Sequence, residues 1–136
     1  MRKLLYAAFL GLALAAGLVH DAALAQPAQC GRTAPGASAA ATTLVVTGQP
    51  GAVVHLCGWD VTATAISTFQ IVTGTGATCG TNTVNITAAH AMTGSNTINT
   101  SAATPGRYSA PMGNSVCVIV TGTGPVQWTI YYTQLQ

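Results

Sequence analysis

The chain contains no glutamate, and its single lysine, Lys3, stands within the first ten residues. Charged side chains make up 4% of the sequence. Beyond residue 25 only Arg32, Arg107 and Asp60 carry one, joined by His55 and His90. Each shortage excludes a class of function. Phosphate backbones are held by many cationic contacts, so a nucleic-acid groove is excluded. A calcium cage needs several carboxylates, and Asp60 is the lone carboxylate side chain after residue 25. The same scarcity excludes a glycosidase built on two carboxylates. No G-x-S-x-G elbow occurs, so nothing marks one of the serines as a nucleophile. The V-T-G-T-G runs at 72–76 and 120–124 lack the third glycine and following helix of a dinucleotide fingerprint. With Val46-Thr47-Gly48 they read as strand ends, where glycine supplies the positive φ of a turn.

What is present begins with a leader. Arg2 and Lys3 precede an unbroken apolar run from Leu4 to Val19, and Ala23-Leu24-Ala25 then gives an A-x-A cleavage signal. That order is the signature of a secretory signal peptide. The run is shorter than the roughly 20 residues that span a bilayer. Residues 1–25 are therefore expected to be removed, leaving 26–136 as a single domain with no membrane span. The compact leader suits a bacterial protein, secreted or periplasmic.

All four cysteines, Cys30, Cys57, Cys79 and Cys117, follow the leader. An even number in a small exported domain predicts two disulfides. Zinc would favour close C-x-x-C pairs, and the gaps here are 27, 22 and 38. Of the three pairings, those that pin a loose segment (Cys30 or Cys79) to a strand (Cys57 or Cys117) are preferred. If 53–62 and 65–73 form a hairpin, Cys79 returns about two strand spacings, roughly 10 Å, from Cys57. That exceeds the reach of a disulfide. Cys30–Cys57 with Cys79–Cys117 is the pairing expected.

Short runs rich in Val, Ile and Thr, separated by Gly, Pro and Asn, predict an antiparallel all-β domain. Strands are expected at 42–47, 53–62, 65–73, 82–88, 115–121 and 126–134, with Val84 and Ile86 sharing a face. The clearest period of two places Val126, Trp128, Ile130 and Tyr132 on the core face. Val116, Val118 and Val120 alternate inward likewise. Residues 89–114 are small, polar and weakly periodic, with one short strand near 96–100. They read as a long connection, either a crossover between two sheets or a functional loop. That segment carries His90, Arg107 and Tyr108. The fold class is an antiparallel β-sandwich stapled by two disulfides, with a jelly roll among the windings it allows.

A resemblance rests on the cysteine-anchored runs: Cys30, V-H-L-C-G-W at 54–59, G-T-G-A-T-C-G at 74–80, N-S-V-C-V at 114–118 and V-Q-W-T-I-Y-Y-T-Q at 126–134. Across about residues 30–134 the chain resembles a loosely defined family of small cysteine-containing β proteins from environmental phages and bacteria. The resemblance implies a structural part, since family members in phage genomes look virion- or tail-associated. The leader, and Trp128 where the family carries a small residue, depart from that pattern and favour a bacterial secreted relative.

Chemistry is sparse. His55 and Asp60 lie five apart on one predicted strand, which puts their side chains on opposite faces and argues against a dyad. No nucleophile has a base beside it, so a non-enzymatic protein without cofactor or metal is expected. The side-chain charge after residue 25 is about +1, and 21 of those 111 residues are Thr. Little charge repulsion opposes association between copies or with other surface proteins. A structural or surface-assembly role follows. The alternative is an extracellular carbohydrate-binding module. With Trp128 and Tyr132 assigned to the core, Trp59, Tyr108 and Tyr131 remain as aromatic contacts. His90 and Arg107 join them as possible ligand or partner contacts.

Overall fold

The computed structural model describes residues 30–100 and 108–136. The expected leader and Arg107 lie outside the described residues. Ten strands run in chain order: β1 (Arg32–Ser38), β2 (Thr42–Val46), β3 (Val53–Ala63), β4 (Ser67–Thr75), β5 (Thr81–Asn85), β6 (His90–Met92), β7 (Asn96–Thr100), β8 (Tyr108–Ser109), β9 (Ser115–Gly122) and β10 (Val126–Leu135). They form two antiparallel sheets. One runs β1-β10-β3-β7, with β8 also on β3; the other runs β2-β9-β4-β5, with β6 also on β4. β5 and β6 together make one interrupted edge, and β7 and β8 make the other. Counted so, the strands pair as a nested set: β1 with β10, β2 with β9, β3 with β7/β8, and β4 with β5/β6. That nesting is one long hairpin rolled into two layers, the jelly-roll winding of a β-sandwich.

The core lies between the layers. Val116, Val118 and Val120 of β9 are buried, as their alternation predicts. Phe69 and Ile71 of the neighbouring β4 lie beside them in the same sheet, and facing them from the other layer are Val126, Trp128 and Ile130 of β10 and Val54, Leu56, Trp59 and Val61 of β3. Tyr132 is only half-buried, packed on the rim of this core.

Both disulfides are formed as the spacing argument expects, Cys30–Cys57 and Cys79–Cys117. The hairpin used to reach that pairing is absent. β3 and β4 lie in different sheets. Their connection, Thr64-Ala65-Ile66, has no Gly or Asn to set a hairpin turn, and it carries the chain across the core instead. Cys117 faces away from the main core, where it packs with Val72, Cys79 and the flanking Ile119 as a second small cluster.

Four further expectations change. The first strand expected from the sequence is 42–47, yet β1 precedes it and contains Pro35, which is tolerated because β1 is an edge strand. Gly36 also lets Trp128 lie close, since a Cβ there would sit 2.7 Å from the indole ring. The strand expected at 82–88 ends at Asn85, leaving Val84 53% exposed while Ile86 packs against the core. Residues 89–114 are not a plain connection, because β6, β7 and β8 lie within them and complete both sheets. Of the three V-T-G glycines only Gly122 has a positive φ. Gly48 and Gly74 are required instead by close backbone, Gly113 and Asn114 in one case and Cys79 and Thr81 in the other.

Candidate functional sites

One local irregularity decides which β3 side chains reach which surface. Tyr131 of β10 pairs with Gly58, but the next residue, Tyr132, pairs with Leu56. Cys57 is thus the extra residue of a β-bulge, and the alternation of β3 reverses across it. Val54 and Leu56 face inward before the bulge; Trp59, Val61 and Ala63 face inward after it.

Two expectations fall with this reversal. Trp59 is a core residue, 4% exposed, rather than an open aromatic platform. His55 and Asp60 share the outer face instead of opposing each other, through their cross-strand partners Thr133 and Thr129. They remain on the order of 15 Å apart along the strand, too far for a dyad. Asp60 is committed elsewhere: its Oδ2 accepts a 2.7 Å hydrogen bond from the Tyr131 hydroxyl. That bond, more than the accompanying desolvation and charge repulsion, raises the Tyr131 pKa above 10.0.

The structure does place a hydroxyl beside a base, which the sequence reading did not foresee. His55 Nδ1 lies 2.8 Å from Ser109 Oγ, across the β3–β8 pair. The pair is exposed, and Asp60 is too distant to orient the imidazole. Among the described residues no third group is hydrogen-bonded to the imidazole, as a nucleophile–base pair uses. No three His, Cys, Asp or Glu side chains gather as a metal-ligand set among the described residues.

Of the five candidate contacts, three converge. Trp59, His90 and Tyr108 line a cleft of about 240 Å³ beside the interrupted edges, with Ile86, Thr87 and Thr100. The Trp59 and Tyr108 rings are 5.7 Å apart and tilted by 50°. Thr100 fixes the cleft wall, because its Oγ1 accepts from the Trp59 N–H at 2.9 Å and donates to the Trp59 carbonyl at 3.0 Å. Tyr131 stands apart, half-buried on the outer face of the β1-β10-β3-β7 sheet. That face holds a second, shallower groove of about 470 Å³, lined by Pro35, Ala37, Asp60, Thr62, Gln127 and Thr129 among others. Within the described residues no helix is long and apolar enough to cross a membrane.

No family model matches the chain. No curated protein matches it either. A solved structure, the crystal structure of PirA, is similar at 14% identity and a TM-score of 0.42, over 74% of this chain and 93% of that chain. A likeness at that level carries no argument. The two disulfides fit an oxidising, non-cytoplasmic compartment.

Proposed function

We propose that this is a secreted bacterial protein, non-enzymatic, that works as a structural or surface-assembly component by pairing its sheet edges with further copies. A single observation carries the reading: β5, the sequence T-N-T-V-N, is an edge strand whose five residues are all exposed. It contains no charge and no proline. Proteins that must stay monomeric blunt such an edge with lysine, proline or a covering loop, because unpaired N–H and C=O groups template another strand. β1, by contrast, carries Pro35. The small net charge leaves little long-range repulsion to keep copies apart.

Sedimentation velocity of the exported protein tests this. Oligomers are expected to grow with concentration, and Val84→Lys, which places a charge on the exposed face of β5, is expected to return the protein to monomer. A wild-type protein that stays monomeric at all concentrations overturns the reading. So does assembly unaffected by Val84→Lys. N-terminal sequencing of the same sample is expected to begin at Gln26; retention of Met1 would remove secretion from the proposal.

A further inference from the structure

The outer groove of the β1-β10-β3-β7 sheet has a composition suited to one kind of ligand. Register places its residues in two adjacent rows. Pro35, Thr129, Asp60 and Asn99 pair across one; Ala37, Gln127, Thr62 and Thr97 pair across the next. Three strand spacings of about 4.8 Å make each row roughly 14 Å wide, the scale of two linked sugar rings. At the β1 side Pro35 and Ala37 present apolar surface. Further in stand a carboxylate, a primary amide and two hydroxyls, from Asp60, Gln127, Thr129 and Thr62.

Asp60 is held in place before any ligand arrives. Its Oδ2 accepts from Tyr131, which leaves the second carboxylate oxygen unengaged among the described residues. Thr62 is likewise tied to its neighbour, Oγ1 to Oγ1 of Thr97 at 3.3 Å. Groups fixed in this way lose little freedom on binding. The sign and kind of these groups discriminate between ligands. An anion would meet the Asp60 carboxylate with no cation among the described residues that line the groove. A compact cation would use that carboxylate and leave the amide and hydroxyl donors facing it. A neutral polyhydroxyl ligand uses donors and acceptors together, and can lay a C–H face on Pro35 and Ala37. We infer that this groove binds a neutral saccharide of about two residues, with Asp60 and Gln127 as its principal hydrogen-bonding contacts. The inference does not rest on self-association, which uses a different surface.

The test is a titration of the ¹⁵N-labelled wild-type protein with cellobiose, maltose, lactose and N,N′-diacetylchitobiose, followed by amide chemical shifts. At least one disaccharide is expected to give saturable shifts centred on residues 35–37, 60–62 and 127–129. Gln127→Ala, an exposed change that leaves the core intact, is expected to weaken that binding by about tenfold, the loss of roughly one good hydrogen bond. Asp60→Ala with Gln127→Ala is expected to abolish it while the remaining spectrum is unchanged. Absence of saturable shifts with all four sugars overturns the inference. So do shifts centred on the Trp59–Tyr108 cleft, or binding that both variants retain.

Discussion

The Tyr131 hydroxyl donates to Asp60 Oδ2 at 2.7 Å, joining β10 to β3 on the outer face of one sheet. Asp60 is the only carboxylate side chain after residue 25, and this bond fixes its position. The partnership needs the Cys57 bulge, which brings Asp60 to the outer face where Tyr131 already points.

The phenol should titrate late. Its pKa is raised above 10.0, chiefly because ionisation would forfeit the hydrogen bond to Asp60. A pKa higher in the folded state than in the unfolded chain gives a definite sign. The stabilisation from this contact is complete below about pH 10 and is lost as pH climbs through the raised value. NMR titration of the Tyr131 ring is expected to show its midpoint above 10.0, and Asp60→Asn is expected to bring it down. A midpoint that Asp60→Asn leaves unmoved would show that the carboxylate is not the cause.

Trp128 offers a test of the core. Its side chain is 4% exposed, with its ring 6.5 Å from Phe69 across the sandwich. Gly36 of the edge strand lies directly against it. Trp128→Ala is expected to cost about 3–5 kcal/mol in denaturant unfolding, as large-to-small core changes do. The indole N–H is buried without a hydrogen-bond partner among the described residues, an unfavourable feature that Trp128→Phe removes. The phenylalanine variant should therefore lose much less than the alanine variant. A loss under about 1 kcal/mol for Trp128→Ala would place the ring on the surface.

The strands of the core were legible because their inward-facing residues alternate without a break. Val126 to Ile130 keeps period two and is buried accordingly, while β9 is apolar on both faces, with Val116, Val118 and Val120 toward the main core and Cys117 in the smaller cluster. β3 was legible as a strand but not as a face. In V-H-L-C-G-W-D one inserted residue reverses the pattern, and only Gly58 hints that the ladder is irregular there. That one residue moved Trp59 into the core and carried Asp60 to the side of His55. The outer groove was hidden for a related reason. Its rows join residues from four strands, β1, β10, β3 and β7, whose order in the sheet follows from the winding and not from neighbouring sequence. The Ser109–His55 contact belongs to the same class, since β8 has two residues and no periodicity to detect.

The Cys79–Cys117 bridge should be the principal support of the β5 edge. It spans 38 residues and fastens the turn before β5 to the outer face of β9. Loop-closure entropy assigns a crosslink of that length about 4 kcal/mol. β5 itself has little else to hold it: its five residues are exposed, and its ladder with β4 is irregular between Thr73 and Thr75. Cys117 differs, being fully buried on a strand flanked by β2 and β4. Replacing both cysteines by alanine is therefore expected to lower global stability by about 4 kcal/mol. It should also act unevenly. Amide exchange at 81–85 is expected to approach that of an unfolded chain, while 116–120 keep protection close to the new global limit. Uniform loss of protection across both strands would show that β5 is held by its ladder, and that the bridge acts only on the unfolded chain.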